Sequence, residues 1–182
     1  MSPAMRDRRA MRHFGTDRRA VAAAEFALVL PFMVALLLGS IEISEAVSLS
    51  RKVTLTAHTV TDLVSRNSCL TTSEMNSLLA AASAVVQPFS SANLTMTVTQ
   101  VVTDANGKAT VSWSTSSSLT AGSPVTLPTT LQQPNATYIW GVAVYNYTPA
   151  LGYKLTGPIA VTDQMYLSPR LTKAITYPGS TC

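Results

Sequence analysis

The sequence predicts an α+β fold in which a long N-terminal helix packs on a small antiparallel sheet. Two observations lead to this prediction. The first third of the chain holds an apolar segment followed by an apolar stripe at helical spacing, and later runs alternate apolar with hydroxyl side chains. From residue 94 to residue 137, 17 of 44 residues are Ser or Thr, a composition that favours strands and loops over helix.

The net charge of the chain lies entirely in its first 20 residues. The whole chain carries 13 Lys and Arg against 9 Asp and Glu, a net charge of +4, and residues 1–20 alone carry six Arg and two Asp. The excess of basic residues thus belongs to an N-terminal tail and not to a domain surface, so it does not predict a nucleic-acid partner. Only 12% of the residues are charged, about half the usual fraction, which argues against both a disordered polyelectrolyte and an ordinary cytosolic enzyme.

An apolar segment of 21 residues, Val21 to Ile41, follows the basic tail, and Glu25 is its only charged residue. As a helix it would span roughly 30 Å, the hydrocarbon thickness of a bilayer. Because the arginines precede it, the positive-inside rule predicts a cytoplasmic N-terminus and a C-terminal domain outside the cytoplasm. A secretory signal peptide cut near Ser44-Glu45-Ala46, or a twin-arginine signal, is the alternative.

Glu25 is the most informative residue of the apolar segment. An acidic side chain inside a membrane helix costs on the order of 3 kcal/mol, and less near the interface. It therefore either snorkels to the headgroups or requires a partner. Pro31, six residues later, cannot make one helical hydrogen bond, so we expect a kink or a locally loosened helix there.

The stretch from Arg18 to Pro31 reads Arg-Arg-Ala-Val-Ala-Ala-Ala-Glu-Phe-Ala-Leu-Val-Leu-Pro. It resembles the opening of TadE-like proteins, the minor pilins or pseudopilins of the bacterial tight-adherence (Tad) pilus system. In that family a basic leader ends in Gly, and a short run of small residues, Glu-Phe and an apolar helix with a proline follow. Leu36 to Glu42 resembles the family's helix exit, and Val142 to Pro149 resembles its aromatic strand. Ala20 departs from the pattern, because the family usually has Gly there.

This resemblance implies that a prepilin peptidase cuts the chain between Ala20 and Val21. Glu25 would then be the fifth residue of the mature protein, and its carboxylate would pair with the new amine of a neighbouring subunit and set the register of packing. Phe26 and Pro31 belong to the same assembly helix. The implied fold is pilin-like, and the implied role is assembly of a Tad (Flp-type) pilus for surface adherence.

The resemblance also implies the partners. They are the inner membrane, the prepilin peptidase, other Tad pilins and pseudopilins, and the Tad assembly platform, without a nucleic acid or a small-molecule substrate. The alternative is an unprocessed, single-pass protein whose periplasmic domain serves binding or adhesion. Such a protein would need neither the cut nor Glu25.

An apolar stripe indicates that the helix continues beyond the membrane, to about Arg66. The stripe recurs at spacings of 4, 4, 3 and 4, with the charged residues off it, and we expect it to pack on the chain's own sheet. A capping box at Thr71 and Glu74 predicts a second helix over 72–86 that stops before Pro88. The stripe consists of Leu49, Val53, Ala57, Val60 and Val64.

Four strands are predicted after the second helix. The first two form a hairpin around the turn signal Asp104-Ala105-Asn106-Gly107. The third is apolar on both faces around Trp140 and Tyr145, which indicates a position inside the sheet. The strands begin at Leu94, Ala109, Thr137 and Ile159, the third and fourth cover 137–147 and 159–167, and residues 117–136 are expected to form a long loop.

The chain has two cysteines, Cys69 and Cys182. In an oxidising periplasm they most simply form one disulfide, and two free thiols or pairing with another subunit are the alternatives. The predicted organisation is a basic cytoplasmic leader at 1–20, a transmembrane helix at 21–42, a helical stalk at 43–68 and a periplasmic α+β domain at 69–182.

The sequence shows no motif for catalysis or cofactor binding, and we expect no enzyme activity, metal or cofactor. His13 lies in the leader and His58 on the stalk, so no histidine cluster is visible. A secreted hydrolase would need the fold to bring His58, Asp104 and Asp163 into one pocket. An aromatic run near the C-terminus is expected to be core, with an adhesive face as the alternative; its members are Tyr138, Trp140, Tyr145, Tyr147 and Tyr153.

Overall fold

The computed structural model describes residues 18–149, 157–179 and 182. The chain divides into two compact units, one ending at Glu45 and the other running from Ala46 to Cys182. The fold is α+β, with a long N-terminal helix and one antiparallel sheet, as the sequence predicts. The helices are α1 (Arg18–Ser65) and α2 (Thr72–Ser83), and the strands are β1 (Leu94–Thr103), β2 (Ala109–Ser114), β3 (Pro124–Val125), β4 (Thr137–Tyr147) and β5 (Ile159–Leu167).

The sheet has the strand order β3-β2-β1-β4-β5, and each neighbouring pair is antiparallel. The predicted hairpin is confirmed: β1 pairs with β2, and Asp104 and Gly107 close the turn between them. Strand β4 lies inside the sheet, between β1 and β5, as its two apolar faces predict. All four predicted strands are therefore present.

The prediction of a long loop over 117–136 was wrong at two short stretches. Within it, the two residues of β3 pair with Ala109 and Thr110 of β2, and Thr129–Leu131 form a 3-10 turn. A two-residue strand that begins with proline has no alternation to detect, so sequence periodicity could not find it. Leu127 from this segment is buried with Val101 and Tyr138, and the segment thus covers part of the sheet.

The apolar stripe of α1 packs on the sheet, which confirms that prediction. All five stripe residues are fully buried. Leu49, Val53 and Ala57 pack in a cluster with residues of β4, and Val60 and Val64 pack in a second cluster that also holds residues of α2, β1 and β2. The second half of α1 therefore joins the sheet into one core.

Gly141 of β4 lies where α1 comes closest to the sheet. A Cβ at this position would overlap with the hydroxyl of Thr61 and would lie 3.2 Å from the Thr61 Cβ and 3.4 Å from the carbonyl oxygen of Ala57. The Thr61 hydroxyl donates a hydrogen bond to that same carbonyl at 2.6 Å, so it has a partner although it is buried. Only a residue without a side chain fits this contact.

Helix α2 begins with the predicted capping box. The Thr71 hydroxyl accepts from the Glu74 backbone N–H at 3.2 Å, and the Glu74 carboxylate accepts from the Thr71 backbone N–H at 2.8 Å. These contacts, first the backbone and then the hydroxyl of Thr71, lower the pKa of Glu74 because they stabilise its charged form. The predicted helix over 72–86 ends as a 3-10 turn, Ala84–Val86, before Pro88.

We predict that Gly141→Ala destabilises the folded domain by about 1–3 kcal/mol, the usual effect of overpacking. The denaturant midpoint of the detergent-solubilised protein measures this change. The matched variant is Gly141→Ala combined with Thr61→Ala, which removes the overlapping hydroxyl and should recover part of the loss. A midpoint unchanged by Gly141→Ala, or strict additivity of the two substitutions, would contradict the close contact.

We also predict that the stability gap between the wild type and Glu74→Gln depends on pH. The pKa of Glu74 is lowered in the folded state, so its charged form adds stability above the ordinary glutamate value, and this contribution is lost as pH falls through the folded value. Urea unfolding at about pH 7 and about pH 3 measures the gap, which should close at the lower pH. A gap that stays constant would show that the carboxylate charge does not act at this cap.

Candidate assembly helix

The candidate site is the N-terminal part of α1, which contains the apolar segment. Every side chain from Val21 to Leu38 is exposed, including large apolar ones such as Leu28 at 72%, Phe32 at 71% and Leu36 at 75%. The helix is long and apolar enough to cross a membrane. A continuous apolar surface of this kind is stable only when lipid or other protein covers it.

Glu25 is exposed and lies four residues after Val21 in the helix. Residues four apart share one helix face, so the Glu25 carboxylate and the position of Val21 face the same direction. Phe26, next to Glu25, is 60% exposed, and Val21 is 49% exposed. The carboxylate therefore lies on an apolar surface, on the same helix face as the residue at which the proposed cut would create a new amine.

Pro31 lies inside α1, and the helix continues without a break on both sides of it. The bond that proline cannot make is the one to the carbonyl of residue 27, one turn earlier. Further along, the Ser40 hydroxyl donates to the Leu37 carbonyl at 2.8 Å, and the Ser44 hydroxyl donates to the Ser40 carbonyl at 2.9 Å. Such bonds pair the serine hydroxyls within the helix itself.

The proposed cut between Ala20 and Val21 lies within α1, which the structure describes from Arg18 onward.

The residues that a hydrolase would need serve structural roles in the described part of the chain. The Asp104 carboxylate accepts from the backbone N–H groups of Asn106 and Lys108 in the β1–β2 turn. The Asp163 carboxylate, in the middle of β5, accepts from the Thr54 hydroxyl of α1. His58 is exposed on α1. Within the ranges described, no group of three or more His, Cys, Asp or Glu could hold a metal ion; His13 lies outside those ranges.

The aromatic residues of β4 belong mainly to the core. Tyr138, Tyr145 and Tyr147 are buried, with 4–8% exposure. Trp140 is half-buried and stacks on Tyr166 of β5, with ring centroids 5.7 Å apart. Burial raises the pKa of Tyr166. Tyr153 lies outside the described residues.

Cys69 and Cys182 form a disulfide, which confirms the simplest of the predicted arrangements. The bond joins positions 113 residues apart and ties the C-terminus to the chain just after α1. Sequence reasoning missed two contacts that position this region, the pairing of Gln100 with Ile175 and the close approach at Gly141. The buried-strand pattern of β1 and β4 offers no signal for either, because both depend on how distant segments meet.

Residues 20–61 match the family model of TadE-like proteins. This match confirms the resemblance read from the sequence, and it covers the proposed cut, the apolar segment and most of the helix that packs on the sheet. Comparison with curated proteins and with solved structures found no match. The family match therefore gives information about α1, and the sheet domain is described from its structure alone.

Proposed function

We propose that this chain is a TadE-like minor pilin that takes part in assembling a Tad (Flp-type) pilus for surface adherence. The proposal rests on two features that fall on the same part of the chain. The family match begins at residue 20, the last residue before the proposed cut, and continues over the apolar segment, in which every side chain from Val21 to Leu38 is exposed. A structural subunit that buries this surface only on insertion and assembly explains both facts.

In this proposal the chain is inserted in the inner membrane with its N-terminus in the cytoplasm. The basic residues before Val21 support this orientation, because positive charge stays on the cytoplasmic side. The domain from residue 69 onward is then periplasmic. The Cys69–Cys182 disulfide supports this placement, since disulfides persist in oxidising compartments.

A prepilin peptidase then cuts between Ala20 and Val21. The peptidase requires a small residue before the cut so that the backbone can lie extended in its cleft, and Ala20 meets this requirement.

Cleavage gives Val21 a free α-amine, which is mostly protonated at neutral pH. We propose that this amine pairs with Glu25 of a neighbouring subunit, which offsets the cost of placing both charges in an apolar environment. Glu25 lies four residues after Val21 in the helix. A neighbouring subunit displaced by about 6 Å along the helix axis would therefore bring its Val21 amine level with the Glu25 carboxylate. Such a pair fixes the axial register, and Phe26 and the helix around Pro31 supply the apolar contact.

The proposed partners are the prepilin peptidase, other Tad pilins and pseudopilins, and the Tad assembly platform. We propose no catalytic activity and no cofactor for this chain. The exposed apolar helix supports a structural role, and the contacts of Asp104 and Asp163 serve the turn and the helix–sheet contact.

We predict that Glu25→Ala and Glu25→Gln leave membrane insertion intact but reduce piliation at least about tenfold, because an unpaired amine would remain in the apolar environment. Piliation is counted by electron microscopy, and insertion is measured by membrane fractionation of the same cells. Glu45→Ala is the matched control, since Glu45 is an exposed glutamate of the same helix outside the apolar segment.

Unchanged piliation in both Glu25 variants would contradict the role of the carboxylate. It would favour the unprocessed anchor with a periplasmic binding or adhesion domain, which does not depend on Glu25. Equal loss in Glu45→Ala would show that the effect belongs to helix charge in general and not to the proposed pair.

A further inference from the structure

Residues Arg170–Gly179 form a strap that follows β5 and completes one of the three apolar clusters. Ile175 is 2% exposed and packs in the cluster that holds Val64, Leu70 and Trp113. The rings of Tyr177 and Trp113 lie with their centroids 4.9 Å apart. The strap is thus the outer wall of this cluster.

The backbone of the strap is hydrogen-bonded along the segment that follows α1. Arg170 N–H donates to the Ser65 carbonyl at 2.9 Å, and its guanidinium pairs with the Asp62 carboxylate. The remaining bonds form a short parallel bridge: Thr176 N–H to Ser68, Leu70 N–H to Thr176 and Gly179 N–H to Leu70, at 3.0–3.1 Å.

Two buried side chains of the sheet hold the strap at Ile175. The Ile175 N–H donates to Gln100 Oε1 at 2.7 Å, and the Ile175 carbonyl accepts from Trp113 Nε1 at 2.8 Å. Gln100 is 1% exposed and Trp113 is 8% exposed. Partial displacement would leave buried polar groups unpaired, which is costly. The strap is therefore stable either fully docked or fully released.

Two of the three apolar clusters form without the strap, while the third joins the strap to Val60 and Val64 of α1 and to Ile139 of β4. The cluster that contains Leu49, Val53 and Ala57 holds no strap residue, and neither does the cluster around Val101 and Tyr138. The pairing of β4 with β1 and β5 is continuous without it. Release of the strap is thus a local opening that leaves most of the core in place.

The disulfide lies at the end of the strap. It connects Cys182 to Cys69, the residue that bridges to Thr176. Gly179 lies against both sulfur atoms, since a Cβ there would be 2.6 Å from Cys182 Sγ and 2.7 Å from Cys69 Sγ. The docked strap therefore contacts the disulfide through Gly179.

We propose that the strap and the Cys69–Cys182 disulfide form a redox-controlled closure of the domain. In the oxidised chain the strap is docked. A dithiol reductant breaks the S–S bond by thiol–disulfide exchange, which leaves a thiol on each cysteine and a disulfide on the reductant, and the strap is then released. The open form exposes Trp113 and Leu70, while the contact of Leu49, Val53 and Ala57 with β4 persists. This inference does not rest on the proposed role in a pilus.

Hydrogen exchange measured by mass spectrometry on the full chain in detergent tests the proposal, with dithiothreitol as the reductant and Cys182→Ser as the matched variant. In both cases we expect backbone amides of residues 68–70 and 175–179 to exchange on the order of 100-fold faster, and those of β4 to be unchanged. Unchanged exchange at 68–70 would overturn the proposal, because the strap would stay docked without the bond. Faster exchange throughout β4 would also overturn it, because the opening would then be global.

Tryptophan fluorescence supplies a second measurement, since the chain has two tryptophans, Trp113 and Trp140. In Trp140→Phe, reduction should shift the emission of Trp113 to longer wavelength as water reaches the ring. In Trp113→Phe, the emission of Trp140 should not move, because Trp140 packs in the cluster without strap residues. Equal shifts in both variants would contradict a local opening.

Discussion

The contact between one face of α1 and the sheet is the constraint on which the rest of the domain depends. Five apolar side chains of the helix are fully buried there, and they contribute to two of the three clusters. Gly141 permits the contact, because any side chain at that position would meet Thr61. The stripe of this half of the helix is therefore fully used within the domain and is not available for assembly.

The same helix meets a different environment before residue 46. From Val21 to Leu38 every side chain is exposed, so the described fold supplies no cover for this surface. One continuous helix thus has one half that packs on the sheet and another half whose apolar surface requires lipid or other subunits to cover it. The family match, residues 20–61, covers parts of both halves of this helix and none of the sheet.

Sequence patterns predicted the elements that depend on residues close in the chain or on buried residues that recur at a regular spacing. The stripe from Leu49 to Val64, the capping box at Thr71 and the strand β4 all follow from repeating patterns. The strand β3 and the docking of Ile175 on Gln100 could not be predicted in this way. Both depend on contacts between segments far apart in the chain, for which neither alternation nor turn chemistry gives a signal.

We propose that the exposed half of α1 becomes an assembly element when the chain is cut. If the cut falls after Ala20, all six arginines of the first 20 residues leave with the leader, the remaining side chains sum to zero charge, and the Val21 amine is the one cation added. Intact-mass spectrometry of the membrane-extracted protein measures where the mature chain begins. We predict a chain that begins at Val21 in cells with a prepilin peptidase, and an uncut chain for Ala20→Phe. A wild-type chain that begins at Met1 or Ser2 in those cells would contradict it.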